Sequence, residues 1–291
     1  MDDELLGWLY HRLLGNPSRS HTAGCTYSDA LIVFIFLFGV IGNHSSRWAC
    51  HKRHWPLWCR RLRFPSYSQL CRRLKSGAVQ RLLEQINEEC KAALPRSGNL
   101  IADGKPLVVG GFSKDPDATV GKVPDGFARG YRVHVIADSS RIIEGFEVSG
   151  LHAGEATVMR QLLPRVDVRG KTIDADANYD SNPLYRQVAN QHGRLIAPRR
   201  KPGRGLGHHP QHPHRLGAIA ELEQSPDRRA EHRRRRNHIE RIFAHLTNLP
   251  CGLWALPNFV RRLPRVRTWI LAKIILYHIN ELLQQALHHA P

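Results

Sequence analysis

The chain has 291 residues, with 43 Lys+Arg against 25 Asp+Glu and a formal net charge of +18 before any of its 18 histidines is protonated. Its apolar fraction, 42%, is that of an ordinary globular protein, so charge is what sets it apart. That balance points to a polyanionic partner, nucleic acid first and an anionic membrane surface second.

In chain order, residues 1–93 read as helical. "ELLGWLYHRLL" has apolar residues at helical spacing, and Ser28 or Asp29 can cap the run that follows. That run, "ALIVFIFLFGVIG" from Ala30 to Gly42, is shorter than the about 20 residues that cross a bilayer, so it is expected to be a buried helix and no membrane partner is expected. The acidic start "MDDELLGW" is not that of a secretory signal. The six cysteines are scattered and read as reduced thiols in a cytoplasm. "YSQLCRRLKSGAVQRLLEQINEECKAAL" supplies one or two further helices broken at Ser76-Gly77, a pair compatible with a helix-turn-helix or with simple packing.

Pro95 to Gly98 marks a boundary. "NLIADG" reads as a strand ending near Asp103, and "GYRVHVIAD" alternates, with Tyr131, Val133 and Val135 on one face. "RIIEGFEVSG" is its hairpin partner across a turn at Asp138 to Ser140. Then follow a helix ("EATVMRQLLPRV"), a strand ("KTIDAD"), a helix ("NPLYRQVANQHG") and a strand ("RLIAPRR"). The order β-β-β-α-β-α-β implies a mixed sheet with helices on its faces. Residues 201–227, rich in Gly, Pro and His, read as a flexible insertion. Beyond it, Ile239, Ile242, Phe243 and Leu246 form one stripe of an arginine-rich helix, and an apolar closing helix ends the chain.

Three acids stand out by position. Asp103 ends the first strand, Asp176 follows the "KTIDAD" strand, and Glu240 lies beside the buried stripe of the arginine-rich helix. Carboxylates brought together from strand ends and a covering helix suit hard divalent cations such as Mg²⁺, and two such ions, about 4 Å apart, can hold both oxygens of an in-line displacement at phosphorus. Asp174 is a local rival, because strand alternation puts it on the same face as Asp176.

From about Asn99 to Asn280 the chain resembles the DDE-class transposases of bacterial insertion sequences. "IADGKPL" resembles their first box, "GYRVH" their Gly-Tyr/Phe-Lys-x-His pattern, "IDADANYDS" their Asp-x-x-Tyr box and "RRRRNHIERIFAHLTNL" the third box, in which Arg236 precedes Glu240 by four residues. The Asp-x-x-Tyr spacing selects Asp176, with Tyr179 three residues on. Departures are Arg233 in place of a common tyrosine, Thr247 in place of a common lysine and Glu155 in place of a common aspartate.

The resemblance implies an α/β, RNase H-like mixed sheet flanked by helices over 94–291, with an all-helical region at 1–93 that serves DNA-end binding. It implies Asp103, Asp176 and Glu240 as catalytic metal ligands, and Mg²⁺ (or Mn²⁺) as the cofactor, two ions in all. Arg132, Tyr179, Arg233 and Arg236 are taken as DNA contacts. The implied activity is metal-dependent nicking at insertion-sequence ends and transfer of the 3′-hydroxyl into target DNA, by at least a homodimer on paired ends in the bacterial cytoplasm, at the nucleoid. The alternatives are a nuclease that cuts without joining and a catalytically defective DNA-binding relic.

Two other clusters invite metal. Cys50, His51, His54 and Cys59 in "CHKRHWPLWC" fit no standard zinc spacing, and "HHPQHPH" suggests adventitious binding only. Trp48, Trp55 and Trp58 are interleaved with basic residues and either stack on bases or pack in the helical region.

Overall fold

The computed structural model describes residues 2–15, 24–206, 208–248, 252–253 and 256–288. The chain divides into two compact units, one of residues 1–94, 245–260 and 264–291, the other of 95–244 and 261–263.

The first unit begins with helices α1 (Asp2–Leu14), α2 (Asp29–Ile41), α3 (Ser46–Ala49), α4 (Tyr67–Leu74) and α5 (Gly77–Ala92). Ser28 caps α2, its side chain accepting from the Leu31 N–H at 3.2 Å, which satisfies an amide the helix leaves open. Almost every side chain of α2 is buried, so the apolar run is the core of this unit. Among the described residues no helix is long and apolar enough to cross a membrane. α4 opens with a capping box of Ser66 and Gln69, and α5 turns Val79, Leu82, Leu83, Ile86 and Cys90 inward.

The second unit is built on a sheet of β1 (Asn99–Val108), β2 (Thr119–Val123), β3 (Gly126–Asp138), β4 (Ile143–Gly150), β5 (Thr172–Ala175) and β6 (Arg194–Ile196). Its order is β2-β3-β1-β5-β6, with β4 also paired to β3. β1, β5 and β6 run parallel, while β3 runs antiparallel to its neighbours. This is the RNase H-like arrangement. The short β2 is an addition to the order read from sequence; with Gly121 at its centre it lacks the apolar alternation that signals a strand. Gly130 of β3 is required by the sheet, since a Cβ there would stand 2.3 Å from the Leu107 carbonyl oxygen.

Three helices follow, α6 (Glu155–Leu162), α7 (Asn182–Asn190) and α8 (Pro213–Gln224). Leu100, Ala102, Ile173 and Ala175 of the strands form one buried cluster with Met159, Leu162, Leu184, Tyr185, Val188, Ala218 and Leu222 of these helices. α8 corrects the reading of 201–227 as a flexible insertion. Composition hid a helix whose Ala218, Ile219 and Leu222 are buried, and Asp180 ties it down by pairing with Arg215 at 2.6 and 2.7 Å while accepting from the Arg200 N–H at 3.0 Å.

α9 (Pro226–Asn248) runs from the second unit into the first. Its expected stripe is buried, with Ile239 and Ile242 at 0%, Phe243 at 8% and Leu246 at 3% exposure. α10 (Leu263–His288) closes the chain; from residue 264 it belongs to the first unit. There Lys273 donates to the Val40 carbonyl at 2.9 Å and His278 Nδ1 lies 3.0 Å from Asn87 Oδ1.

Candidate metal centre

The register of the parallel strands builds the site. Ala102 of β1 faces Ala175 of β5, and one residue further on stand Asp103 and Asp176. The paired region with β5 ends at Ala102, while β1 continues to Val108 along β3. Both acids therefore occupy the open fork where β5 ends and β1 loses it as a partner; β1 itself runs on past the end near Asp103 read from sequence, because β3 keeps pairing it.

Each carboxylate is held. Asp103 Oδ1 accepts from the Gly104 N–H at 2.7 Å. Asp176 Oδ1 accepts from the Asn178 N–H at 2.8 Å, capping the turn Ala177–Tyr179. A third carboxylate, Glu155, enters from the first turn of α6. Arg132 of β3 pairs with it, and Asn178 Nδ2 bridges it to Asp176 at 3.4 and 3.1 Å. One oxygen from each of Asp103, Glu155 and Asp176 lies within 4.8 Å of the other two. Gly104 makes room for this packing, as a Cβ there would lie 2.9 Å from Arg132 Cδ and 3.6 Å from Glu155 Cδ.

Crowding in a half-dry fork disfavours charge on Asp103 and Glu155. Burial raises the pKa of Asp103, with Asp176 and Glu240 adding repulsion against the Gly104 N–H and the Arg236 guanidinium. Burial likewise pushes Glu155 up to about 7, with Asp176 and Asp103 opposing the relief that Arg132 gives. Oxygen-only donors that repel one another are the donor set of a hard divalent cation, so the residues fit the metal that the sequence implies.

The structure separates Asp176 from its rival. Asp174, on the same face of β5, is 1% exposed, with Oδ1 at 2.8 Å from His232 Nδ1 and Oδ2 at 3.6 Å from Arg235 Nη1. It anchors α9 and takes no part in the acid cluster. Glu240 is exposed and outside the tight group, though its charge reaches Asp103. One turn before it, Arg236 Nη2 lies 3.9 Å from Asp103 Oδ2.

Arg233 is exposed on α9. Arg132 is engaged by Glu155 and by the Lys122 carbonyl at 2.9 Å, so it positions a carboxylate. Tyr179, also expected at DNA, is 1% exposed and belongs to the core cluster. A buried ring offers a partner no surface, and its role is packing beneath the acids. Sequence reasoning did not place Glu155, Asn178 or His232 in the site. Only Glu155 carried a signal, as the residue standing where an aspartate is common.

Neither alternative metal cluster forms. Among the described residues the acid trio is the sole group of three His, Cys, Asp or Glu side chains with converging ligand atoms. Burial pushes the Cys50 and Cys59 thiols up to about 11, which disfavours the thiolate that zinc needs.

Sheet order and an acid cluster at the β1/β5 fork define an RNase H-like, metal-dependent polynucleotidyl transferase or nuclease. Residues 96–279 match the family described as transposase DDE domain, and the chain belongs to that family. Among solved structures it is similar to a piggyBac transposase, seen in a cryo-EM structure of its synaptic complex with hairpin DNA. The likeness covers 98% of this chain and 73% of that one at 11% identity and a TM-score of 0.51, a similarity of fold. No curated protein matches the chain.

Proposed function

We propose that this DNA transposase nicks DNA at the ends of its own insertion element and joins the freed 3′-hydroxyl to target DNA. It does so as at least a homodimer on paired terminal inverted repeats, in the bacterial cytoplasm at the nucleoid. The observation that carries the reading is the placement of Asp103 and Asp176 one residue past paired alanines on adjacent parallel strands, with oxygens within 4.8 Å of each other and of Glu155.

Asp103 and Asp176 would hold two Mg²⁺ (or Mn²⁺) ions, with Glu155 completing the oxygen set and Glu240 joining from α9 when DNA is bound. When bound, the ions supply charge neutralisation at the phosphate and make water more acidic. The chain's own residues do the rest by position. Arg132 and Asn178 aim Glu155. Arg236, beside Asp103 and within one turn of the exposed Arg233, can exchange its carboxylate for a phosphate oxygen. Arg233 offers a second cation on the outer face of the same helix.

Cleavage and joining on end-bearing DNA with Mg²⁺ test this, comparing the wild type with Asp176→Asn. Metal-dependent cutting and joining by the wild type, both lost in the variant, is the expected result. Cutting without joining would make the protein a nuclease, binding without cutting a relic. Equal cutting by Asp176→Asn would overturn the site.

A further inference from the structure

Between Asp29 and Glu84 the sequence has no acidic residue, while arginine and lysine recur throughout. In the helical unit, α2 takes the apolar part of this stretch inside, so its charge is concentrated on 44–75. Arg47, Lys52, Arg53, Arg61 and Arg63 are all exposed. Among the described residues none of the five has an acidic partner, whereas Arg73 of the same stretch is used on Asp29.

The backbone that carries them is pinned by aromatic packing. Trp55 is 1% exposed and donates Nε1–H to the Ala49 carbonyl at 2.7 Å. Arg60 Nε closes the next turn on the Trp55 carbonyl at 2.9 Å. Trp48 lies between His44 at 3.8 Å and His54 at 4.2 Å, centroid to centroid, and Phe38 stacks on Trp55 at 3.8 Å. Arg47 stands over the Tyr67 ring at 5.2 Å. The ring faces are thus spent on one another, which removes Trp48 and Trp55 as platforms for bases. What remains outward is a set of cations on a support held by ring packing, with Leu57 and Trp58 exposed among them.

A rigid array of uncompensated cations suits a regular polyanion. Residues 44–63 hold no amide side chain, and the exposed indole, Trp58 at 47%, is in T-shaped contact with Tyr10 at 5.2 Å, so the array suits the phosphate backbone and not base edges. Resting on the reading of the chain as a DNA transposase, we propose that segment 44–63 is a surface for the phosphate backbone of duplex DNA, separate from the acid cluster and indifferent to sequence. Arg53, Arg61 and Arg63 are the contacts expected to contribute most.

The test uses the full chain in EDTA, so that cutting plays no part, and measures anisotropy of a labelled duplex lacking the element's ends across a salt series. Arg53→Gln/Arg61→Gln/Arg63→Gln should lower the slope of log K against log salt by between two and three, at about 0.9 per phosphate contact. It should weaken binding roughly tenfold or more at moderate salt on every duplex, with an unchanged thermal midpoint and, in a separate assay with Mg²⁺ and end-bearing DNA, retained cutting at saturating DNA. Single Arg61→Gln should lower the slope by about one, which keeps the test valid if the triple variant misfolds. Unchanged affinity and slope overturn the proposal, as does a loss confined to end-bearing DNA, or wild-type binding to anionic vesicles but not to duplex. If the variant binds as well as wild type and wild type still cuts, the surface is wrong and the transposase reading stands. If binding falls as expected in a chain that never cuts, the surface stands and the catalytic reading falls.

Discussion

His232 Nδ1 lies 2.8 Å from Asp174 Oδ1, a buried contact that fastens α9 to the middle strand of the parallel set. It explains why two aspartates on one face of β5 have different fates. The first meets α9 and is consumed in holding it. The second lies past the last paired residue, half-buried, and turns to Asp103 and Glu155.

Asp174→Ala leaves a buried imidazole without its acceptor and is expected to cost about 3 kcal/mol, in the range for removing one member of a buried pair. Asp176→Asn removes a repulsive charge from the cluster and should leave stability unchanged or slightly raised while abolishing cutting. Urea unfolding of the two variants beside the wild type reads the contrast; equal destabilisation would contradict the division of roles.

Divalent cation binding should stabilise the protein. At a concentration of about 100 times Kd, Mn²⁺ is expected to add about 2.7 kcal/mol, lost in Asp103→Asn. A cation must displace the proton that Glu155 holds below a pKa of about 7, so the thermal shift should be larger at pH 8 than at pH 6. Glu155→Gln should remove that pH dependence.

Two buried histidines set an acid limit. Burial lowers His278 to about 3 and His134 to about 4 from 6.5. The folded protein keeps both neutral while the unfolded chain takes up protons below 6.5, so the stability each contributes is complete above that value. It drains as the pH falls toward 4 and 3, on the order of 3 kcal/mol for His134 alone. Denaturant midpoints measured between pH 7 and 4 should fall steadily, and His134→Gln should flatten the curve; a flat wild-type curve would show that these rings are not buried neutral.

Gly130→Ala puts a methyl group against the Leu107 carbonyl, an immovable backbone atom. Strands β1 and β3 must part locally, at an expected cost of about 2–3 kcal/mol, read by thermal unfolding. Gly104→Ala meets the flexible Arg132 instead. It should cost less than about 1 kcal/mol while loosening Glu155 and weakening Mn²⁺ binding.

Periodicity made several elements legible. The run at Ala30–Gly42 is a core helix, the stripe Ile239, Ile242, Phe243 and Leu246 is buried, and so are Tyr131, Val133 and Val135, although His134 and Ile136 on the other face of β3 are buried too. α8 and β2 were hidden because Gly, Pro and His around α8, and a glycine within β2, carry no periodic signal that survives without a neighbour to pack on.

Charge and local hydrophobic period, properties of neighbouring residues, were enough to give the polyanionic partner, the mixed sheet and Asp103 at a strand, while Asp176 was chosen over Asp174 only by the Asp-x-x-Tyr spacing of the family the chain resembles. Only the three-dimensional structure decided that Asp174 would be spent on His232, that Glu155 would enter the cluster and that Tyr179 would lie beneath it. Those outcomes depend on strand register, Ala102 against Ala175, and on where a helix from far along the chain comes to rest. Such distances join residues that no local pattern relates.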